Sequence, residues 1–81
     1  MNVPVQFYAQ LRDLAGTGES NIEIATSATV KDLLEEVYRR IPALRSHDKS
    51  ILIGAGVEFV PRDYQIKPGE TIAIMPPAQG G

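Results

Sequence analysis

The 81-residue chain has no cysteine and a single histidine. Without cysteine it has no disulfide framework, no thiolate metal site and no thiol nucleophile. His47 sits in Ser46-His47-Asp48. Three neighbours on one loop do not converge as nucleophile, base and orienting acid, which are assembled from separate segments, so a solvated loop histidine is the sufficient reading. One histidine and scattered carboxylates do not make a metal site, and no bound cofactor is expected. Basic residues are also scarce. Eight Lys and Arg against ten Asp and Glu give a net charge of -2, and no basic stripe is available to displace counterions from nucleic acid. No apolar run approaches the ~20 residues that span a bilayer, and Met1-Asn2-Val3-Pro4 does not begin a secretory signal. A cytoplasmic protein is expected. Gly16-Thr17-Gly18 lacks the Lys and Ser or Thr of a phosphate loop. If this chain takes part in catalysis, a partner supplies the machinery.

What is present is one small domain, 43% hydrophobic and 22% charged, near the size at which a single core just suffices. Val3, Val5 and Phe7 alternate with polar or outward positions and predict a strand with one face buried. Leu11–Ala15 reads as a short helical turn stopped by Gly16-Thr17-Gly18. Ile22 and Ile24 mark a second strand, antiparallel to the first. Thr29 is a good N-cap with Asp32 three residues on. Val30, Leu33, Leu34, Val37, Tyr38 and Ile41 then form one apolar stripe of a helix, which Pro42 ends. Its outer face pairs Glu35 with Arg39 and Glu36 with Arg40 at i, i+4. Ala43–Ser50 is a polar connection, Ile51–Ile53 a short buried strand, Gly54-Ala55-Gly56 a turn and Val57–Val60 a strand closed by Pro61. After the Pro68-Gly69 turn comes Thr71–Met75, with Ile72 and Ile74 inward and Ala73 and Met75 outward. The order β-β-α-β-β-β, with the last strand beside the first, is an α+β domain. It corresponds to a β-grasp, ubiquitin-like fold over 1–75 with an extended tail over 76–81.

Two features exceed what folding requires. The tail Pro76-Pro77-Ala78-Gln79-Gly80-Gly81 is stiff at its root, where two prolines favour polyproline II, and thin at its tip. Six extended residues reach about 20 Å, enough to enter another protein. Tyr8, Phe59 and Met75 fall on the outward side of their strands and, if clustered, make an apolar partner surface.

The opening Val5-Gln6-Phe7-Tyr8-Ala9-Gln10-Leu11-Arg12-Asp13-Leu14-Ala15-Gly16 and the ending Lys67-Pro68-Gly69-Glu70-Thr71-Ile72-Ala73-Ile74-Met75-Pro76-Pro77-Ala78-Gln79-Gly80-Gly81 resemble the molybdopterin synthase small subunit family, the MoaD-type sulfur carriers. Where that family often has Val-Asn-Gly, this chain has Ala55-Gly56-Val57, and Gly56 can supply the positive φ that asparagine would. Met75 stands where an aromatic is common, and keeps the patch apolar but more adaptable.

The resemblance implies a non-catalytic, sulfur-carrying subunit of a sulfurtransferase, a heterotetramer whose active site lies on the large subunit. An E1-like enzyme would adenylate the Gly81 carboxylate with Mg-ATP, and a sulfur donor would convert it to a thiocarboxylate. Gly81 would then carry the sulfur and Gly80 would form the thin neck. Pro76, Pro77, Ala78 and Gln79 would line the insertion channel, and Tyr8, Phe59 and Met75 would form the dock. The product would be the dithiolene that later holds molybdenum or tungsten. A thiamine-type sulfur carrier shares the Gly-Gly end but is typically shorter, with a tight first hairpin. A ubiquitin-like modifier, ending in an isopeptide bond, would begin from the same acyl-adenylate.

Overall fold

The alternation of Val3, Val5 and Phe7 becomes strand β1 (Asn2–Phe7), with all three side chains buried. The computed structural model describes residues 1–77. The expectations for Ala78, Gln79, Gly80 and Gly81 lie outside the described residues. Helix α1 (Gln10–Ala15) ends on Gly16, which adopts a left-handed φ of 75° and donates its N–H to the Arg12 carbonyl. Only a residue without Cβ takes that conformation cheaply. Strand β2 (Glu19–Glu23) returns antiparallel to β1, pairing Val3 with Ile22.

Helix α2 (Val30–Arg40) starts with the capping box read from the sequence. The Thr29 hydroxyl accepts from the Asp32 N–H, and the Asp32 carboxylate accepts from the Thr29 N–H at 3.0 Å. Its stripe Val30, Leu33, Leu34, Val37 and Tyr38 is buried in one cluster with the inner face of the sheet. Each fully buried Leu or Val contributes about 1.5–3 kcal/mol, against a few tenths for a surface ion pair, so the stripe decides how α2 sits. The pairing expected for the outer face holds only in part. Glu36 bonds both Arg39 and Arg40, while Glu35 reaches Arg45 at 3.3 Å.

Arg45 arrives there because the segment read as a polar connection folds as a 3₁₀ helix (Pro42–His47) that packs against both α1 and α2. Its Leu44 is wholly buried, a core residue isolated in a polar stretch. The next two boundaries also differ from the sequence reading. Strand β3 is Leu52–Ala55, so Gly54 and Ala55 are strand and not turn, and Leu52 points outward. The turn is Gly56-Val57 alone, with Gly56 at φ 65°, the first central position where a two-residue hairpin turn favours positive φ. Strand β4 is only Glu58–Phe59.

Strand β5 (Ile72–Met75) completes the sheet in the order β2-β1-β5-β3-β4. It runs parallel to β1 and antiparallel to β3, with Ile72 and Ile74 wholly buried. The first and last strands therefore lie side by side at the centre, flanked by hairpins and crossed on one face by α2. This is the β-grasp arrangement.

Candidate functional site

The face of the sheet turned away from α2 is where the outward residues gather. The register carries one row of residues straight across all five strands: Glu19, Gln6, Ala73, Gly54 and Phe59. The two middle positions are the smallest available, and the positions beside them are larger. Small residues between tall ones make a hollow, and a groove of about 260 Å³ lies there.

Its walls come from three segments. Tyr8 follows the last residue of β1, held by its N–H to the Ile74 carbonyl at 3.1 Å, and its hydroxyl donates to Gln6 Oε1 at 2.9 Å. Ala9 then turns the chain at φ 52°, ψ −134°, and the Leu11 N–H closes the turn onto the Tyr8 carbonyl at 3.1 Å. This left-handed position is normally given to glycine. It carries the chain from Tyr8 on the outer face to Leu11 in the core. Phe59 stands opposite Gly54 on β4 and is 69% exposed. Met75 leans over Gly54, where a Cβ would lie 3.3 Å from its terminal methyl. Val57, at the hairpin tip, is fully exposed. These side chains leave a largely apolar lining open on the outer face of the sheet.

Tyr8, Phe59 and Met75, singled out separately in the sequence, thus line one groove. Pro76, half-buried, and Pro77, exposed, follow directly from Met75. Ala78, Gln79, Gly80 and Gly81 lie outside the described residues. Sequence reasoning missed Gly54, Ala73 and Val57. The usable signal was the glycine at an outward position of a strand, which marks a bulge or a close approach.

The displaced titrations lie in side-chain clusters elsewhere. Asp48 is held below its ordinary value by the Tyr38 hydroxyl and by Arg62. Burial and that same bond push Tyr38 well up. Glu70 is lowered by the Tyr64 hydroxyl and the Lys67 N–H. Among the described residues no group of three His, Cys, Asp or Glu is placed to hold a metal, and no helix is long and apolar enough to cross a membrane.

A family model described as the ThiS family matches residues 5–81. The chain belongs to the ThiS family. It is 35% identical, over all of both chains, to the molybdopterin synthase sulfur carrier subunit of Chlamydomonas reinhardtii. Among solved structures it is similar to a Pyrococcus furiosus protein provisionally assigned as molybdopterin converting factor subunit 1, at 29% identity and a TM-score of 0.87, covering 96% of this chain and 99% of that one. It is equally similar in shape to small archaeal modifier protein 1 of Haloferax volcanii, at 25% identity and a TM-score of 0.87 over all of both chains. These neighbours share the ubiquitin-like β-grasp fold.

Proposed function

We propose that this chain is a sulfur carrier, the small subunit of a molybdopterin synthase. The observation that carries the reading is the position of Met75. It is at once the last residue of the central strand, a wall of the apolar groove and the root of the tail. A partner that covers the groove therefore receives the chain leaving Met75, so docking and delivery are one event. The full-length likeness to a sulfur carrier subunit supports the same reading.

In this mechanism the Gly81 carboxylate attacks the α-phosphorus of Mg-ATP on an E1-like enzyme, and pyrophosphate leaves. Hydrosulfide then attacks the acyl-adenylate carbonyl and AMP departs, leaving a thiocarboxylate on Gly81; a persulfide donor would instead give an acyl disulfide, which a second thiol cleaves to the same thiocarboxylate and a disulfide. The charged carrier docks on the large subunit through Tyr8, Phe59 and Met75. Gly81 leads into that subunit's site, with Gly80, Gln79 and Ala78 behind it and Pro77 and Pro76 last, and there sulfur passes to a pterin precursor and water restores the Gly81 carboxylate. The carrier contributes no acid or base of its own.

A second reading is favoured by the likeness to small archaeal modifier protein 1: the same adenylate captured by a lysine amine, giving an isopeptide bond. Thiol alkylation read by tandem mass spectrometry separates them, after incubation with Mg-ATP, an activating enzyme and a sulfur donor. Plain mass is ambiguous, because gaining sulfur for oxygen weighs nearly the same as oxidising Met1 or Met75. With no cysteine in the chain, a thiol-specific adduct must sit on added sulfur. An ATP-dependent adduct at Gly81 is expected. Its absence, with an activating enzyme competent on another carrier, would overturn the carrier reading, and lysine conjugates would then establish the second.

A further inference from the structure

We infer that Pro76 and Pro77 form a two-sided ladder stop, one proline for each edge of β5. They act as positioning residues that keep the chain beyond Met75 from being taken up by the sheet. The stop stands on the backbone alone, whereas its use in delivery rests on the carrier reading above.

Two bonds fix the phase of β5. The Tyr8 N–H donates to the Ile74 carbonyl at 3.1 Å, so Ile74 turns its peptide groups toward β1. Across the sheet the Val60 N–H donates to the Ile53 carbonyl at 2.9 Å, so Ile53 turns toward β4. Peptide groups of successive strand residues point to opposite neighbours. Leu52 and Gly54 therefore turn toward β5, and their partners Met75 and Ala73 turn toward β3.

Continued past Met75, the same alternation aims position 76 at β1 and position 77 at β3. The next acceptor in register is the Tyr8 carbonyl on the β1 edge and the Ser50 carbonyl on the β3 edge. Both positions are proline, which has no backbone N–H to donate. A central strand has two ladders to end, and one proline ends only one of them.

No third stop is needed. After Tyr8 the chain turns at Ala9 into α1, and the Leu11 N–H takes the Tyr8 carbonyl at 3.1 Å. That carbonyl keeps a second lone pair, so it is the donor missing at 76 that leaves the rung unmade. Ser50 lies in the turn after the 3₁₀ helix, with its own N–H bonded to the His47 carbonyl at 3.0 Å. Both neighbours leave the sheet at these points, and each proline occupies the last rung its edge could form. With donors at 76 and 77, a paired carrier would have to break those rungs before delivery. Only its unpaired fraction would be competent, and its apparent affinity would fall by that fraction.

Pro76→Ala/Pro77→Ala, with both single variants, tests the stop. Pro76 is half-buried and Pro77 exposed, so the domain should keep its fold. Amide hydrogen exchange followed by NMR reads the two new N–H groups directly. Each should exchange about three- to tenfold more slowly than in an unstructured peptide of the same sequence. With an activating enzyme, Mg-ATP and hydrosulfide, the double variant should raise the KM for thiocarboxylate formation about three- to tenfold, with a smaller effect on kcat. N-methylalanine at both positions, placed by chemical synthesis of the chain, has neither the N–H nor the ring. It should return KM to the wild-type value. New amides that exchange at the free-peptide rate would overturn the stop. An N-methylalanine chain that behaves like the double alanine variant would assign the effect to ring stiffness and overturn it too. A wild-type chain that gains no thiocarboxylate would take down the carrier reading, while amide exchange would still decide the stop.

Discussion

Arg62 grips Asp48 twice, through the carboxylate at 2.9 Å and the backbone carbonyl at 2.7 Å, while the Tyr38 hydroxyl donates to the same carboxylate oxygen. The contact ties the last turn of α2, the end of the 3₁₀ helix and the connection after β4 into one corner. Arg62→Ala removes the bonds to Asp48 and leaves carbonyls without partners. The expected loss is about 1–3 kcal/mol, read as a lower midpoint in urea with an unchanged slope.

The same corner sets part of the acid limit of stability. Asp48 and Glu70 both titrate below their ordinary values of 3.8 and 4.5 in the fold, each first because a tyrosine hydroxyl bonds the carboxylate. A group lowered in the fold stabilises fully at pH above its unfolded value, and that stabilisation is lost as pH falls through the folded value. The thermal midpoint should therefore be flat from about pH 5 to about pH 9 and fall steadily below the ordinary carboxylate range. Asp48→Asn and Glu70→Gln should each flatten that acid limb. An unchanged limb in both would refute the assignment.

Ala9 holds a positive φ that its Cβ opposes. Ala9→Gly removes a strain of about 1–2 kcal/mol and returns part of it as chain entropy. A net gain of about 0.5–1 kcal/mol is expected, checked by thermal unfolding. A loss would mean that the Tyr8–Leu11 turn is relaxed as it stands.

Phe59 is mostly exposed, so Phe59→Ala should shift stability by no more than about 0.5 kcal/mol. It should nevertheless weaken docking on the large subunit by about 1–3 kcal/mol, the range of an interface anchor. Equal affinity of mutant and wild type would show that Phe59 does not touch the partner.

Leu44→Ala should cost about 2–5 kcal/mol, far more than expected of a residue in a polar connection, and equilibrium unfolding measures it. This residue also shows what the sequence concealed. The alternation in β1, the capped stripe of α2 and the positive φ at Gly56 were legible because each pattern is local and repeats. Leu44 and Ile66 are single apolar residues in irregular segments, buried because distant elements close over them, and no period announces that. Leu52 and Gly54 were misplaced for a related reason. Short runs of apolar residues and glycine have no internal phase, and only the pairing of Leu52 with Met75 and of Gly54 with Ala73 fixes which side they face. For the site, the outward parity of Tyr8, Phe59 and Met75 could be read along each strand. Their convergence depends on the strand order.

The central placement of β5 has a mechanical consequence. The strand is bonded along both edges, parallel to β1 and antiparallel to β3, and the chain continues from it at Met75. Tension applied to the chain beyond Met75 pulls β5 lengthwise and loads its ladder bonds together in shear. The same pull on an edge strand would open them one by one, like a zip. A pull on the end of this chain is therefore resisted by both ladders of β5 at once.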